Sequence, residues 1–346
     1  MSLSKTEFSA IQKAMSVGNS DMAIPISENI GRILLANVIR DLKIKYNGKL
    51  PLKKAPKIFD DVAFEVNFAK DVNLFDEFNS LVEINRDIVT YFVCLCSLVK
   101  ARLKYKKILQ AQPIPTAEQI GPRALINYGD FSSSALSSFL LWRKWIFDID
   151  NRAAQETGYL FEPIIANAIG GVPAGSRNSP IRRHSDTNKG RQVDCIAGKL
   201  AYEIKMRVTI AASGQGRWQE ELDFPNDCKN SGYKPVLVVF DSTTNPKLTE
   251  LINSFKAAGG MSFVGDKAWE HLESKAGKTM AIFIEKYIRK PINETLENLS
   301  DDLIAPMTLE MYGNQLTISV GDSSMSITRS KELFDEEERR IPEDLD

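Results

Sequence analysis

A short stretch with the pattern of a β-hairpin places the strongest constraint on this chain. Residues 191–208 read "RQVDCIAGKLAYEIKMRV", with Gly198 and Lys199 between two runs of alternating side chains. A two-residue turn that contains glycine is typical of a hairpin. The turn sets the register, which predicts the pairs Ala197 with Leu200, Ile196 with Ala201, Cys195 with Tyr202, and Asp194 with Glu203.

This register places two carboxylates side by side, which is unfavourable unless a positive charge lies between them. Because side chains alternate along a strand, Glu203, Lys205 and Arg207 share one face. Carboxylate oxygens are ligands that Mg²⁺ prefers, and a bound metal ion activates a water molecule. Asp194, Glu203 and Lys205 therefore indicate metal-assisted hydrolysis of a phosphodiester, in which Lys205 orients the attacking water or stabilises the transition state. The opposite face is predicted to be buried and carries Tyr202, Ile204, Met206 and Val208.

An ordinary surface hairpin with a Glu–Lys pair would explain the same residues, but the surrounding sequence favours a metal site. A helix and a loop precede the hairpin, and a polar segment leads from it to the apolar run at residues 236–240. Such a run is typical of a strand covered on both faces. These features predict an α/β core in which helices flank a mixed central sheet and the acids lie near its middle.

The rest of the chain divides into three predicted regions. Residues 1–120 are predicted to be a helical N-terminal domain, because segments such as "ISENIGRILLANVIRDLKIKY" and "LFDEFNSLVEINRDIVTYFVCLCSLVKARLKYKKILQ" have helical periodicity. Residues 121–300 are the core domain, with a capped helix in "NPKLTELINSFKAAGG" and a strand and helix in "MSFVGDKAWEHLESKAG". Residues 301–346 are an extension with hairpins around Gly313-Asn314 and an acidic, solvated tail.

Composition excludes several classes of protein. The chain has 346 residues, a net charge of −1, four cysteines and two histidines. We expect Cys94 and Cys96, in the apolar run "YFVCLCSLV", to be small core residues. No cysteine spacing provides the ligand pairs of a zinc site or suggests a disulfide framework. The N-terminus lacks the apolar centre of a signal peptide, and no apolar run approaches the length of a membrane span. We therefore expect a soluble, cytoplasmic protein without a membrane partner, whose positive charge must cluster locally if it binds DNA.

The hairpin sequence also resembles a known catalytic element. "VDCIAGKLAYEIK" is similar to the D-x(n)-E-x-K element of the PD-(D/E)XK nuclease superfamily, with Val193 where proline would stand. "AYEIKMRVTIAASGQGRWQEELDFPNDCKNSGYKPVLVVFD" resembles ApaLI-type type II restriction endonucleases, and the resemblance covers roughly residues 150–290. It implies a Mg²⁺-dependent enzyme, usually a homodimer, that cuts double-stranded DNA at a short specific sequence while a DNA methyltransferase protects the host. Asp194 and Glu203 would match the metal-binding acids, and Lys205 the catalytic lysine.

Families of this type often take a further metal-binding glutamate from the helix before the hairpin. That helix is predicted in "SSSALSSFLLWRKWIFDIDNRAAQETGYLF", and the candidates are Glu156 and Glu162. They are separated by about 240° around a continuous helix, so both cannot face one site. We favour Glu162, which stands just before the apolar "IIANAI". Pro163 leaves open that a new helix starts there with Glu162 as its cap. Glu156 stays the second candidate, and the third alternative is that neither glutamate contributes.

Two segments are candidate DNA contacts. Residues 170–191 have neither a helical nor a strand period and are predicted to be a long loop, either functional or simply solvated. In "AASGQGRWQEE", small residues allow close approach to a ligand, and the alternative is a tight turn with Trp218 in the core. Basic and polar residues in these segments would contact phosphates or bases, and the candidates are Arg177, Arg182, Arg183, Lys189, Arg191, Gln215, Arg217 and Trp218. The basic stretch "RLKYKKILQ" is expected to be a solvated helix face, and His184 and His271 are expected to be surface or packing residues.

Two rival functions stay open at this point. A repair or junction-resolving nuclease on the same core would nick DNA or cut it according to its structure, whereas a restriction enzyme cuts a plasmid into discrete fragments. A non-catalytic DNA-binding module with a remnant site would bind DNA without cutting it. The intact set of Asp194, Glu203 and Lys205 disfavours this second rival.

Overall fold

The computed structural model of the chain describes residues 2–17, 24–58, 66–126, 131–206, 215–298 and 304–329. These residues form a mixed α/β protein with a five-stranded sheet and a separate three-stranded sheet. In these parts of the chain, no helix is both long enough and apolar enough to cross a membrane. Residues 207–214, including Arg207 and Val208, and the acidic C-terminal tail lie outside the described residues.

The first half of the chain is helical. Ser4 and Ser27 cap the first two helices, as serine does at many helix starts. The single helical segment predicted between residues 74 and 110 is instead two helices, because Asn85 accepts a hydrogen bond from the backbone of Asp87 in the turn between them. The helices are α1 (Lys5–Met15), α2 (Glu28–Asp41), α3 (Leu74–Leu81), α4 (Ile88–Ala111), α5 (Ala117–Ile120) and α6 (Ser133–Ile169), with short 3-10 helices at Leu52–Lys54 and Gly121–Ile126.

The five-stranded sheet confirms the predicted mixed topology. Its strands lie in the order β1 (Val172–Ala174), β2 (Val193–Ala197), β3 (Leu200–Lys205), β4 (Lys234–Val239) and β5 (Met261–Val264). The first three strands are antiparallel, and β3, β4 and β5 are parallel to one another. The helix α7 (Gln215–Asn230) precedes β4, and α8 (Pro246–Ala257) precedes β5, as parallel neighbours require a crossover. β3 is therefore the central strand of the sheet.

Both faces of β4 are covered, as the apolar run predicted. Its residues from Val236 to Val239 are at most 1% exposed. One side of the sheet packs on Phe224 and Cys228 of α7 and on Phe255 of α8. Cys94 and Cys96 are buried and free, which confirms their expected core role, and Cys195 and Cys228 are buried and free as well. After β5 the chain continues through α9 (Asp266–Lys275), α10 (Lys278–Ile284), a π-helix (Glu285–Arg289) and α11 (Lys290–Asn298).

The C-terminal extension is an antiparallel meander, as predicted. Its strands are β6 (Met307–Tyr312), β7 (Gln315–Val320) and β8 (Ser323–Thr328). Tyr312 pairs with Gln315 across the turn at Gly313-Asn314, where Gly313 has a positive φ of 60°. Glycine adopts this left-handed conformation without a steric penalty, so the sequence signal at the turn has a direct structural cause.

Two compact units group the described residues differently from the predicted regions. One unit falls within Met1–Val17, Pro25–Val99 and Gly158–Pro291, and the other within Gly18–Ile24, Lys100–Thr157 and Ile292–Asp346. In the first unit, Asp41 on α2 accepts hydrogen bonds from Tyr91 at 2.9 Å and from Tyr287 at 2.6 Å. These bonds connect N-terminal helices to the π-helix that follows the sheet. The domain boundaries predicted after residues 120 and 300 stay predictions, and these units have other limits.

The prediction that residues 170–191 lack strand structure is wrong for their first part. Val172 pairs with Ile196 and Ala174 with Val193, which adds β1 to the edge of the sheet. This pairing requires close approach at Gly171, where a Cβ atom would lie 2.4 Å from Cys195 Sγ and 2.7 Å from the Ile196 carbonyl oxygen. A three-residue strand that depends on one glycine leaves no periodic signal in the sequence.

We expect Gly171→Ala to destabilise the protein by about 1–3 kcal/mol, because the added methyl group overpacks the contact between β1 and β2. Gly175→Ala is the matched control, since a Cβ atom there meets nothing within 4 Å. Urea denaturation of both variants measures the free energy of unfolding. Equal stability of the two variants would contradict the close approach at Gly171.

Candidate active site

The hairpin of β2 and β3 has the predicted register. Ala197 pairs with Leu200, Ile196 with Ala201, and Cys195 with Tyr202. One residue further, Asp194 Oδ2 accepts a hydrogen bond of 2.7 Å from the backbone N–H of Ile204. The Asp194 carboxylate is therefore bound to β3 itself, beside Glu203. Each acid comes from one strand of the hairpin, and the two-residue turn determines which residues face each other.

Lys205 lies between two carboxylates. Its Nζ atom donates a hydrogen bond to Glu203 Oε1 at 3.2 Å and forms an ion pair with Glu221 Oε2, also at 3.2 Å. The side chains of Lys205, Glu203 and Glu221 are 18%, 22% and 27% exposed, so water screens these charges only partly. Glu203 and Lys205 belong to β3, whereas Glu221 is on α7.

The helix α6 runs without interruption from Ser133 to Ile169, with Pro163 inside it. Its continuity excludes a new helix that starts at Pro163, and with it the role of Glu162 as a cap. Glu156 Oε1 forms an ion pair of 2.7 Å with Lys104 Nζ. Glu162 is influenced instead by the charges of Glu203 and Lys205, so this glutamate is the one of the two that lies near the hairpin acids.

Burial and neighbouring charges shift the pKa values of three residues at this site. Burial raises the pKa of Asp194 well above its usual value, and the carboxylates of Glu203 and Glu162 raise it further. Burial likewise raises the pKa of Glu162, with a second contribution from Glu203. For Lys205, burial acts to lower the pKa, but Glu203 and Glu221 outweigh burial and raise it. Lys205 thus pairs with Glu203 and Glu221, while burial and the neighbouring carboxylates favour the neutral forms of Asp194 and Glu162.

The acidic side chains of the described residues do not form a compact cluster of metal ligands. Among the described residues, no three His, Cys, Asp or Glu side chains stand together as a ready-made metal-binding group. The acids nonetheless suit a hard cation by their chemistry, because Mg²⁺ commonly takes one or two protein carboxylates and fills its other positions with water and phosphate oxygens. Asp194 and Glu203 provide such a pair of carboxylates.

The other face of the hairpin is packed, as predicted from its apolar side chains. Tyr202 is fully buried, and its hydroxyl lies 3.3 Å from His271 Nε2. The His271 ring also stacks on Phe263 with 3.9 Å between the ring centroids. Burial lowers the pKa of His271, which favours the neutral imidazole. His271 is therefore a packing residue, as expected.

Comparison with known proteins decides the family. The model of the ApaLI-like restriction endonuclease family matches residues 39–289. The chain belongs to this family. It is 48% identical over 272 residues to the type II restriction enzyme ApaLI of Acetobacter pasteurianus, an alignment that covers 74% of this chain and 72% of that protein. No solved structure is significantly similar to this chain.

Family membership has direct consequences for the substrate and the chemistry. An ApaLI-like protein is a restriction endonuclease, which cuts double-stranded DNA at a specific site, and type II restriction endonucleases generally use a divalent metal ion. The matched residues include the whole hairpin, the end of α6 and α7. The acids and the lysine described above all lie within the region that this ApaLI-like chain shares with its family.

Part of the predicted DNA-binding loop is bound to α7. Arg191 is 7% exposed, and its Nε atom lies 3.5 Å from Asp227 Oδ2. Its guanidinium group also contacts the Phe224 ring and donates a hydrogen bond to the backbone of Glu220. Asp227, which is 1% exposed, uses its other oxygen, Oδ1, to accept hydrogen bonds of 2.8 Å from the backbone N–H and from Nδ1 of His184. In this arrangement, Arg191 and His184 hold the loop against α7.

The remaining predicted DNA contacts lie in different surroundings. Arg183 forms an ion pair of 2.8 Å with Glu220. Arg177, Arg182 and Lys189 are exposed and face solvent in the same loop. Trp218 is neither in a tight turn nor in a loop, since it lies in α7, packs against the core and has Lys247 Nζ 5.4 Å from its ring centre. The side chains of Gln215 and Arg217 lie outside the described residues.

Glu221 and Asp227 were not among the residues predicted from the sequence. Both are on α7, a helix with proline at position 225 and a mostly polar sequence, so no apolar stripe marked its orientation. The spacing of Glu220 and Asp227, about two helical turns apart on one face, was the available signal. This spacing indicates a binding face of α7 only after the structure shows that Arg183 and Arg191 lie beside Glu220 and Asp227.

We expect Asp227→Ala to destabilise the protein by about 3–5 kcal/mol, because it leaves the buried Arg191 without its ion-pair partner. Asp186→Ala is a control in the same loop, where a 41% exposed carboxylate lies 3.9 Å from Lys189 and contributes at most about 1 kcal/mol. Chemical denaturation of both variants gives the free energies of unfolding. A loss no greater than that of the control would show that Asp227 does not hold the loop.

Proposed function

We propose that this ApaLI-like chain hydrolyses phosphodiester bonds of double-stranded DNA at a short specific sequence, in a Mg²⁺-dependent reaction on a PD-(D/E)XK core. The observation that carries this proposal is the position of Lys205, which is bonded to Glu203 while the charges of Asp194 and Glu162 act on the same site. A lysine among carboxylates suits metal-assisted phosphodiester hydrolysis, because the acids can hold a metal ion and the ammonium group can stabilise negative charge.

The proposed metal ligands are Asp194 and Glu203, with Glu162 completing the set. Burial raises the pKa values of Asp194 and Glu162, and neighbouring carboxylates raise them further, so a divalent cation bound among these acids would relieve the crowding of their negative charge. When bound, Mg²⁺ would supply an activated water molecule and neutralise charge on the phosphoryl oxygen. The hydrogen bond from Ile204 holds Asp194 in place, so this ligand needs little reorganisation.

Lys205 is the proposed catalytic lysine. Its ammonium group orients the attacking water or donates a hydrogen bond to the charge that develops on the phosphate. Because the side chain is only 18% exposed, this charge acts in surroundings of lower polarity than bulk water, where electrostatic stabilisation is stronger. Glu203 keeps the ammonium group beside the acids through the bond at 3.2 Å.

DNA would contact the exposed part of the loop after α6. Arg177, Arg182 and Lys189 face solvent and could bind phosphate oxygens. Gln215 and Arg217, at the start of α7, are proposed as further contacts because of their residue types. Arg183, Arg191 and Trp218 support these contacts by fixing the loop and α7, since each of them is engaged within the protein.

We further propose a homodimer, because a two-fold symmetric recognition site matches a two-fold symmetric protein. The functional partner is a DNA methyltransferase that protects host DNA at the same sequence. A repair or junction-resolving nuclease is disfavoured by membership of a restriction endonuclease family. A non-catalytic DNA-binding module is disfavoured by the lysine and acids that remain in contact.

Digestion of an unmethylated plasmid tests the proposed function. With Mg²⁺ we expect a small set of discrete fragments, and with EDTA no cleavage. Lys205→Ala should cut at least about 100-fold more slowly while it still binds DNA, because it loses electrostatic stabilisation of the transition state. Nicks without defined fragments would support a repair nuclease, and cleavage by Lys205→Ala at the wild-type rate would overturn the assigned catalytic residue.

The two glutamates of α6 provide a matched pair of variants. We expect Glu162→Gln to slow DNA cleavage about 10–100-fold, because one of the proposed metal ligands loses its negative charge. Glu156→Gln should leave the rate within about threefold, because Glu156 is ion-paired with Lys104. Single-turnover cleavage of a plasmid that contains one site measures both rates, and the reverse ranking would exclude Glu162 from the site.

A further inference from the structure

Glu221 shares the ammonium group of Lys205 with Glu203 but binds it differently. Glu203 Oε1 accepts a hydrogen bond from Lys205, whereas Glu221 Oε2 is ion-paired at the same distance of 3.2 Å. Glu221 Oε2 is buried and, among the described residues, has no hydrogen-bond donor of good geometry. A buried carboxylate oxygen without a donor is costly, so this atom is ready to accept a bond from the nearby ammonium group.

The position of Glu221 depends on the packing of the helix α7, on which it lies. Phe224 and Cys228 anchor α7 in the core beneath β4, and Asp227 anchors it to the loop through Arg191. With the helix held at these points, Glu221 is presented to Lys205 on the central strand. The arrangement therefore provides a second, fixed acceptor for the lysine on a separate element.

Glu203 and Glu221 would differ as acceptors for Lys205 once a divalent cation is bound. A divalent cation on Glu203 would repel the ammonium group and occupy carboxylate oxygens that Lys205 uses. Glu221 is absent from the proposed metal ligands and remains available to the lysine. Without Glu221, the lysine would have Glu203 as its acceptor among these carboxylates and would compete with the cation for it.

Building on the proposed function, we propose that Glu221 is a positioning residue that takes over Lys205 when a divalent cation binds Glu203. This transfer does two things. It releases Glu203 for the metal ion, and it keeps the ammonium group beside the scissile phosphate instead of letting it move into solvent. Glu221 acts through Lys205 and does not itself contact the substrate.

Binding of Mn²⁺ to the DNA-free enzyme tests the proposal without relying on activity. Isothermal titration calorimetry is performed on the wild type, Glu221→Gln, Lys205→Met and the double variant. We expect Glu221→Gln to weaken Mn²⁺ binding about tenfold when Lys205 is present, but less than about twofold in the Lys205→Met background. Such a difference between the two backgrounds is typical of neighbouring charges that are coupled. Loss of a negative charge acting directly on the metal would give equal effects in both backgrounds, which would overturn the proposal, as would no effect in either.

Three further variants separate the possible causes of failure. Glu220→Gln is the matched control, because the neighbouring carboxylate pairs with Arg183 and should leave Mn²⁺ binding unchanged. Glu203→Gln should weaken Mn²⁺ binding, and if it does not, the proposed metal site itself is wrong. Glu221→Asp keeps the charge and should restore binding at least partly, so it also serves if Glu221→Gln fails to fold. In cleavage assays, Glu221→Gln should lower kcat with little change in the KM for DNA, and a change confined to KM would contradict a role in positioning Lys205.

Discussion

The balance between one partly buried ammonium group and several acids determines the character of this site. Lys205 lies on the central strand and contacts Glu203 and Glu221, while Asp194 and Glu162 add negative charge nearby. Charges that are shielded from water interact strongly, so neither the lysine nor the acids would be stable there alone. The helix α7 contributes a charge to this balance through Glu221, and α6 contributes one through Glu162.

The helix α7 supports two parts of the enzyme at once. One face of it presents Glu221 to the lysine, and another face binds the loop through Asp227 and Glu220. The apolar residues between them, such as Phe224, pack under the sheet. A single helix therefore connects the central strand β3 to the loop that carries the proposed phosphate contacts, and a shift of this helix would affect both.

Much of the fold followed from local patterns, and the exceptions have local physical causes. The hairpin register, the covered strand β4 and the C-terminal meander were all predicted, because turns and side-chain periodicity depend on neighbours in the sequence. The strand β1 was missed because it depends on close approach at Gly171. The helix α6 continues through Pro163, where the loss of one backbone hydrogen bond does not outweigh the packing of a long helix.

The sequence by itself determined that Asp194, Glu203 and Lys205 meet, since a two-residue turn and a strand period of two fix which side chains share a face. It also identified the family, because those residues stand in a long recognisable run. Only the tertiary structure decided that Glu162 rather than Glu156 approaches the site, that Glu221 shares the lysine, and that Arg191 is buried on Asp227. These contacts depend on how helices rotate as they pack against the sheet, and that rotation is set by the whole core instead of by the local sequence.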